Sequence, residues 1–226
     1  RGLFTILFGA GIYLFMERAW ARGQGRGLQA RRLFFLLLFG LAHYFLIWRG
    51  DILTLYAVWG LVALLMIGWK AKTQLVVGLI ATTLGGMLMA GLMAFQFAAA
   101  ELPQVRDNMP PEAREQIENV EPDTLAGAKE EVALYQDGSY GEIVSSTVQN
   151  DWGQLLSEIL LVGPVETIGL ILIGMGLYRM GLFTGGISRR RLLIWGWIGL
   201  IVGLATSFLA GQMAYSAGFP FMTTLF

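Results

Sequence analysis

The stretch RRLFFLLLFGLAHYFLIWRGDILTLYAVWGLVALLMIGW, residues 31–69, decides the fold. Two apolar runs are separated only by Arg49-Gly50-Asp51, and each run approaches the ~20 residues that a helix needs to cross a bilayer. We therefore expect two membrane-spanning helices joined by a very short turn. The single histidine of the chain, His43, lies inside the first of them. Because an ionisable side chain is costly within a bilayer, its presence there indicates a function.

The composition extends this interpretation to the whole chain. The 226 residues are 55% hydrophobic, and further apolar runs with little charge lie on both sides of the hairpin. We predict an all-α, polytopic membrane protein with about six transmembrane helices and one acidic helical loop outside the membrane. Besides the two hairpin helices, the predicted spans are residues 2–16, 75–100, 159–178 and 192–213. The three expected segments are helices one to four in 1–100, the acidic loop in 101–151, and helices five and six with an apolar tail in 152–226.

The two ends of the chain indicate a longer protein. The first residue is Arg rather than Met, and an apolar run begins at once. The tail at residues 214–226 is again apolar and contains Pro220. We expect the chain to be a fragment that lacks upstream helices, and we interpret the tail as the start of another segment.

The residue types exclude several classes of chemistry. The chain has no cysteine, which excludes disulfides, thiolate catalysis and cysteine-ligated metals. A single histidine also excludes a histidine-rich metal site, so no metal is expected. No phosphate-binding loop, dinucleotide fingerprint or nucleophile elbow is present in the sequence. We expect the lipid bilayer as a partner and no nucleic acid.

The one long polar segment, residues 101–151, is strongly acidic. Pro111 precedes one helix-forming run and Asp123 precedes another, so we expect two short helices, with Asp123 as the N-cap of the second. The sequence QDGS at 136–139 predicts a turn. We interpret the segment as a solvated cap outside the membrane, and a dedicated binding domain is the alternative.

The distribution of charge among the loops predicts the orientation. Three basic loops, at residues 17–32, 70–74 and 179–191, alternate along the chain with the hairpin turn and the acidic loop. Basic loops stay on the cytoplasmic side of a membrane. We therefore expect a multi-pass protein of the bacterial inner membrane, with the hairpin turn and the acidic loop facing the periplasm.

Three polar side chains are expected at a similar depth in the membrane. With a helical rise of 1.5 Å per residue, His43 lies about 9 Å below the outer surface and Tyr56 about 7 to 8 Å below it. Glu166, counted from the inner end of its helix, lies roughly 10 Å from the same surface. The sequence thus predicts that groups from three helices meet in one layer.

A histidine in that layer can take and return a proton near neutral pH. A nearby carboxylate can orient its ring and stabilise the imidazolium, and Asp51 and Glu166 are both candidates for that role. Four other interpretations stay open. In these alternatives, His43 makes only a structural hydrogen bond, Asp51 only caps the third helix, Glu166 is neutral because of desolvation, and Tyr56 serves only in packing.

Arginines are concentrated in the predicted cytoplasmic loops. Those expected to clamp the phosphates of a nucleotide-like cofactor such as coenzyme A are Arg18, Arg31, Arg32 and Arg190. The alternative is that they set the topology and contact anionic lipid.

Several motifs resemble a known family. LFTILFGAG at 3–11, FGLAH at 39–43, GDILTLYA at 50–57 and LIGMGLYRMGLF at 172–183, with the paired Arg31-Arg32, are similar to the YeiB-like family of bacterial inner-membrane proteins, a domain of unknown function. Its members resemble the wider group of transmembrane acyltransferases. The resemblance implies that an acyl group passes from cytoplasmic acyl-CoA, the expected co-substrate, to an acceptor on the outer side. His43 and Asp51 match the family's own motif.

These observations lead to three functional hypotheses. In the first, the chain belongs to a membrane acyltransferase-like protein in which His43 is the general base and Asp51 or Glu166 supports it. In the second, the same groups relay protons in a transporter or lipid-handling protein. In the third, the chain is a non-catalytic subunit of a larger membrane complex. A homo-oligomer and such a complex are both left open.

Overall fold

The computed structural model describes residues 1–183, 185–186 and 188–216, and the regular structure of these residues is entirely helical. The helices are α1 (Gly2–Trp20), α2 (Arg26–Leu46), α3 (Leu53–Leu65), α4 (Ala71–Glu101), α5 (Pro103–Asp107), α6 (Pro111–Asp137), α7 (Tyr140–Asn150), α8 (Trp152–Ser157), a π-helix (Glu158–Thr167), α9 (Ile168–Arg179) and α10 (Arg189–Ser216). The all-α class expected from the sequence is confirmed.

Among the described residues, four helical stretches are long and apolar enough to cross a membrane. They are Gly2–Trp20, Ala71–Leu92, Trp152–Arg179 and Arg189–Leu209. Helix α3 has 13 residues, which gives a length of about 20 Å against the ~30 Å of a hydrocarbon core. Helix α2 is long enough but carries three arginines in its first two turns. The number of six spans therefore stays a prediction.

The chain divides into two compact units. The first contains Arg1–Leu88 and Gly138–Gly186, and the second contains Met89–Asp137 and the described residues of the C-terminal segment 188–216. All the contacts that build the candidate site lie in the first unit. The sequence-based division at residues 100 and 151 stays a prediction.

The core of the first unit is apolar and joins α1, α2, α3 and α9. Its buried side chains are Ile12, Met16, Leu33, Ala63, Leu64, Ile67, Ile168, Ile171, Leu172 and Met175. Helices α1 and α9 cross with their backbones in contact, because Gly174 lies against the Ile6 carbonyl where any Cβ would overlap it. Small residues at such crossings permit the close packing of apolar helices.

The hairpin at residues 31–69 forms as expected. Helix α2 ends at Leu46 and α3 begins at Leu53, so the connection is short and contains the Arg49-Gly50-Asp51 sequence. The first helix continues beyond its predicted end, through Trp20, so that the basic loop predicted at 17–32 shrinks to residues 21–25. Polar residues with good helix propensity extend both helices past the apolar runs on which the prediction was based.

The prediction of two short helices with Asp123 as an N-cap is wrong. Helix α6 is continuous over Pro111–Asp137 and passes through position 123. The flank before that position is rich in Glu, and the flank after it contains Ala, Leu, Lys and Glu, whose helix propensity favours continuation, so the helix passes through in spite of Pro122. The turn predicted at 136–139 is confirmed, because α6 ends at Asp137 and α7 begins at Tyr140. Of the apolar tail, positions 214–216 belong to α10, while 217–226, including Pro220, lie outside the described residues.

The start of α7 contains a capping motif that the sequence-based interpretation missed. The Ser139 side chain accepts a hydrogen bond from the Glu142 backbone N–H, and the Glu142 carboxylate accepts one from the Ser139 backbone N–H at 2.7 Å. Its signal in the sequence is Ser-Tyr-Gly-Glu, a serine followed three residues later by a glutamate. The Ser139 backbone N–H and, as the smaller cause, the Ser139 hydroxyl, which donates to the same carboxylate at 2.8 Å, lower the pKa of Glu142.

Candidate functional site

The site begins with His43 in the last turn of α2. Its Nδ1 atom lies 3.1 Å from Oδ1 of Asp51, which follows it across the hairpin turn. The Asp51 side chain is 1% exposed, while that of His43 is 31% exposed. The Trp48 ring packs edge-on against the imidazole, with 6.5 Å between the ring centroids. A buried carboxylate thus faces one imidazole nitrogen of a histidine that reaches the surface.

Asp51 has a second role at the start of α3. Its other oxygen, Oδ2, accepts a hydrogen bond of 2.8 Å from the backbone N–H of Thr54. This is the contact by which an aspartate caps a helix N-terminus, and it fixes the carboxylate in position. The two interpretations of Asp51 therefore apply together, because one oxygen caps the helix while the other faces His43.

Several polar atoms of this cluster are buried without a hydrogen-bond partner. Among the described residues, five buried side-chain polar atoms are in this state, and three of them are His43 Nδ1, Asp51 Oδ1 and Thr54 Oγ1. The distance of 3.1 Å suits a hydrogen bond between His43 and Asp51, but the two atoms are not aligned as a hydrogen bond requires. Unsatisfied buried polar groups are rare in native proteins, and catalytic sites are among the places where they occur.

A second acidic residue anchors the hairpin turn from another part of the chain. Arg49 donates to Oδ2 of Asp151 at 3.1 Å, and the Tyr44 hydroxyl donates to the Asp151 backbone carbonyl at 3.4 Å. The Tyr140 hydroxyl donates to the Leu46 carbonyl at 2.7 Å. The turn is therefore held by the segment around α7 and α8. The sequence-based interpretation missed this role of Asp151, because nothing in the sequence separates it from the other acidic residues of 101–151.

Tyr56 and Glu166 do not join the His43 cluster. The Tyr56 hydroxyl shares a hydrogen bond of 2.9 Å with Thr5 Oγ1, and its ring stacks on Phe8 at 5.2 Å. Glu166 is half exposed and lies 4.0 Å from the Arg1 guanidinium. Of the two carboxylates that the sequence left open as partners of His43, the structure pairs it with Asp51. An equal depth fixes the level of a residue on a helix but not the direction in which its side chain points.

The four arginines proposed to bind a cofactor have different surroundings. Arg32 donates to Gln29 at 3.1 Å and its guanidinium lies 3.9 Å over the Phe15 ring. Arg18 and Arg31 are exposed in the same unit. Arg190 is exposed on α10, in the second unit. Arg32 thus has a packing role within the first unit, while Arg18 and Arg31 present their charge to the surroundings.

The π-helix contains a polar contact that no sequence motif predicted. A π-helix joins each N–H to the carbonyl five residues before it, but Pro164 has no N–H, which frees the Ile159 carbonyl. The indole N–H of Trp59 donates to this carbonyl at 3.0 Å. Gly163 makes room for the indole, since a Cβ there would overlap it. The contact ties α3 to the widened helix.

The opposite end of α3 is held by a second missed cluster. The Gln74 side chain is fully buried and donates to the carbonyls of Met66 at 3.0 Å and Ile67 at 3.4 Å. Arg179 donates to the Gln74 side-chain oxygen at 3.0 Å and also to the Trp69 carbonyl. Because most of these acceptors are backbone carbonyls, no side-chain pattern in the sequence identifies them.

The chemistry of the His43 cluster follows from its geometry. A carboxylate facing Nδ1 favours a proton on that nitrogen and leaves the Nε2 lone pair as the acceptor. The same carboxylate stabilises the imidazolium that forms when Nε2 takes a proton. The arrangement therefore suits proton transfer through Nε2 at the exposed edge of the imidazole.

Comparison with known proteins gives relatives whose own functions are not described. The chain is 53% identical to YxaH of Bacillus subtilis over 75 residues, covering 33% of this chain and 19% of the relative. It is 43% identical to a 39.9 kDa protein from the amylase 3′ region of Bacillus acidopullulyticus over 79 residues, covering 34% of this chain and 22% of that relative. No family model and no solved structure matches the chain.

A distant similarity extends over most of the chain. It is 27% identical to YeiB of Escherichia coli over 207 residues, which cover 89% of this chain and 46% of the relative. The chain thus spans less than half the length of each of these relatives. The similarity to YeiB agrees with the resemblance drawn from the motifs, and it carries no information on chemistry.

Proposed function

We propose that this chain is part of a membrane acyltransferase-like protein of the YeiB-like family, in which His43 is the general base. The observation that carries the proposal is the pair formed by His43 and the buried Asp51 carboxylate, 3.1 Å apart at the tip of the α2–α3 hairpin. The capping bond to Thr54 holds this carboxylate in place. A base of this kind contributes about 10²- to 10⁴-fold to the rate of a proton-transfer reaction.

In the proposed reaction, His43 Nε2 takes the proton from an acceptor hydroxyl or amine. The oxygen or nitrogen of the acceptor attacks the thioester carbon of acyl-CoA, forming the new C–O or C–N bond. The C–S bond then breaks, and the proton held by Nε2 passes to the departing thiolate. Asp51 stabilises the imidazolium between these two steps, so the pair returns to its starting protonation state.

The donor side of the proposal rests on the exposed arginines. Arg18 and Arg31 are exposed on neighbouring helices, α1 and α2, and guanidinium groups bind phosphates with two parallel hydrogen bonds. In the orientation expected from loop charge, both face the cytoplasm of a bacterial cell, where acyl-CoA is available. The hairpin tip with His43 then faces the outer side. Arg31 and His43 are twelve residues apart on α2, about 18 Å along its axis, so the proposal requires the thioester end of a donor bound at Arg31 to extend along α2 to His43.

The experiment measures transfer of a labelled acetyl group from acetyl-CoA in proteoliposomes. We expect Arg31→Glu to raise the KM for acetyl-CoA, because charge reversal repels the phosphates. Lys72→Glu is the matched control, since it makes the same change of charge at an exposed residue at the start of α4 and should leave the KM unchanged.

Two results would contradict the proposal. An equal effect of both charge reversals would show a general effect of surface charge instead of a donor site. Absence of transfer, together with solute uptake driven by a proton gradient and abolished by His43→Gln, would assign the pair to a proton-coupled transporter.

A further inference from the structure

His43 lies at the boundary between the buried and the exposed face of α2. On one side of it, Gly40 and Tyr44 are buried. On the other side, Phe39 precedes it by one turn and is 69% exposed, and Leu46 follows by three residues and is also exposed. Residues spaced three and four apart are neighbours on a helix surface. The exposed edge of the imidazole is therefore bordered by apolar side chains.

This border is part of a longer apolar stripe along α2. The exposed residues of the stripe are Phe35, Leu38, Phe39, Leu46 and Ile47. From residue 33 to residue 46 the helix has no charged side chain, and His43 is its one ionisable group apart from Tyr44. Helix α2 packs in one core with α1 and α9, which belong to two of the four described stretches that are apolar enough to span a membrane. In such surroundings an exposed apolar face favours contact with lipid.

The charged groups near His43 do not form a polar entrance around it. Asp51 is buried beneath the imidazole, and Arg49 is engaged with Asp151 of the α7–α8 segment. The ring of Trp48 covers another edge. What borders the exposed edge of His43 along α2 is thus apolar surface, which favours a substrate with an apolar part.

We propose that the acceptor of the reaction is a membrane lipid whose head group carries a free hydroxyl or primary amine. The lipid reaches His43 from the bilayer, with its polar head at Nε2 and its chain along the stripe from Phe39 to Phe35. From residue 35 to residue 43 the stripe is about 12 Å long, enough to accommodate a large part of an acyl chain. This inference rests on the proposed function, and it adds the class of acceptor and its direction of entry.

The first test uses the fact that His43 is the only histidine. Protein labelled with ¹⁵N in histidine and placed in phosphatidylcholine nanodiscs gives imidazole signals from this residue alone. We expect phosphatidylcholine with a nitroxide near the glycerol to abolish these signals, while a water-soluble gadolinium chelate leaves them visible. Signals that survive the lipid nitroxide, or that are lost to the same degree with the chelate, would overturn the inference.

The second test compares acceptors and separates this inference from the proposed function. We expect transfer from acetyl-CoA to phosphatidylethanolamine in the bilayer and not to water-soluble phosphoethanolamine. Transfer to phosphoethanolamine alone would overturn the lipid acceptor and leave the acyltransferase. Loss of the imidazole signals in lipid without transfer to either compound would overturn the acyltransferase and leave the lipid contact.

A matched pair of variants locates the lipid on α2. Phe39→Ala should raise the KM for the lipid acceptor roughly tenfold, because it removes apolar contact from the stripe. Phe4→Ala, at a phenylalanine of α1 with 68% exposure against 69% for Phe39, should leave that KM unchanged. An equal effect at both positions would overturn the placement on α2.

Discussion

The two ends of α3 both bury polar groups, but they differ in how completely these groups are hydrogen-bonded. At the C-terminal end, both functional atoms of the Gln74 amide have partners, in the carbonyls of Met66 and Ile67 and in Arg179. At the N-terminal end, His43 Nδ1 and Asp51 Oδ1 lie close together but are not aligned in a hydrogen bond. The Gln74 amide at the C-terminal end of α3 is fully hydrogen-bonded, whereas His43 Nδ1, Asp51 Oδ1 and Thr54 Oγ1 at the N-terminal end have no hydrogen-bond partner.

This difference in hydrogen bonding distinguishes the structural cluster around Gln74 from the His43–Asp51 pair, to which we assign a reactive role. A buried network in which every atom is paired stabilises one conformation, and removing a member leaves its partners unsatisfied. A buried pair with unsatisfied atoms lowers stability, so its presence indicates a use outside folding. We therefore assign the proposed function to the N-terminal end, while the C-terminal end holds the turn between α3 and α4.

The largest expected effect is on activity at the N-terminal end. His43→Gln should lower acyl transfer by about 10²- to 10⁴-fold, because the variant has no group that takes a proton. The midpoint of thermal unfolding in detergent should stay close to that of the wild type. Tyr56→Phe serves as the control, since Tyr56 contacts Thr5 and Phe8 instead of His43. Full activity of His43→Gln would remove the base from the mechanism.

A smaller loss of activity is expected from Asp51→Asn. Asparagine caps a helix as well as aspartate does, so the variant keeps the cap of α3 and its stability. The neutral amide no longer stabilises the imidazolium, so transfer should fall. Asp51→Ala should lose transfer and also about 0.5 to 2 kcal/mol of stability through the missing cap. Equal transfer rates in the wild type and Asp51→Asn would show that the carboxylate serves only as a cap.

The C-terminal end should respond in the opposite way. Gln74→Leu should destabilise the protein by about 1 to 3 kcal/mol, because it removes the side-chain hydrogen bonds to the Met66 and Ile67 carbonyls and the buried bond from Arg179, which keeps its bond to the Trp69 carbonyl. Transfer per folded molecule should stay at the wild-type level. Gln24→Leu is the control, because Gln24 is exposed in the loop before α2. A loss of activity without a loss of stability would contradict the structural role of this cluster.

The smallest effect is expected at α7, whose first residue, Tyr140, donates to the Leu46 carbonyl beside the hairpin turn. Ser139→Ala should weaken the start of α7 by about 1 kcal/mol, measured by amide hydrogen exchange. The same cap makes this helix sensitive to pH. Because the pKa of Glu142 is lowered in the folded state, its contribution is fully present above the ordinary value of 4.5 and is lost as pH falls through the lowered value. Protection of α7 should therefore decrease on acidification in the wild type and not in Glu142→Gln.

The sequence predicted those features that depend on short chain distances. The hairpin follows from a short connection that brings the end of one apolar run to the start of the next, and this connection also placed Asp51 among the two carboxylates left open as partners of His43. Such a connection leaves few arrangements for its flanking residues. The rotation of Tyr56 towards Thr5 could not be predicted in the same way, because helix packing decides it.

Features that depend on backbone atoms could not be predicted from sequence patterns either. The bond from Trp59 to the Ile159 carbonyl requires a π-helix, which has no simple periodicity in the sequence. The Met66 and Ile67 carbonyls that Gln74 binds could not be predicted either, because every residue has a backbone carbonyl. The N-cap predicted at Asp123 failed because a capping residue also occurs inside helices, and here the helix continues through Pro122 and Asp123 into a run of good helix formers.

The most direct test of the functional role of His43 is the ¹⁵N spectrum of its imidazole in nanodiscs. The geometry predicts that the neutral ring carries its proton on Nδ1, facing Asp51, and that Nε2 is unprotonated and free to accept. Asp51→Asn should shift the balance between the two tautomers. A ring protonated on Nε2 in the wild type, with no response to Asp51→Asn, would contradict the role of this pair as a base.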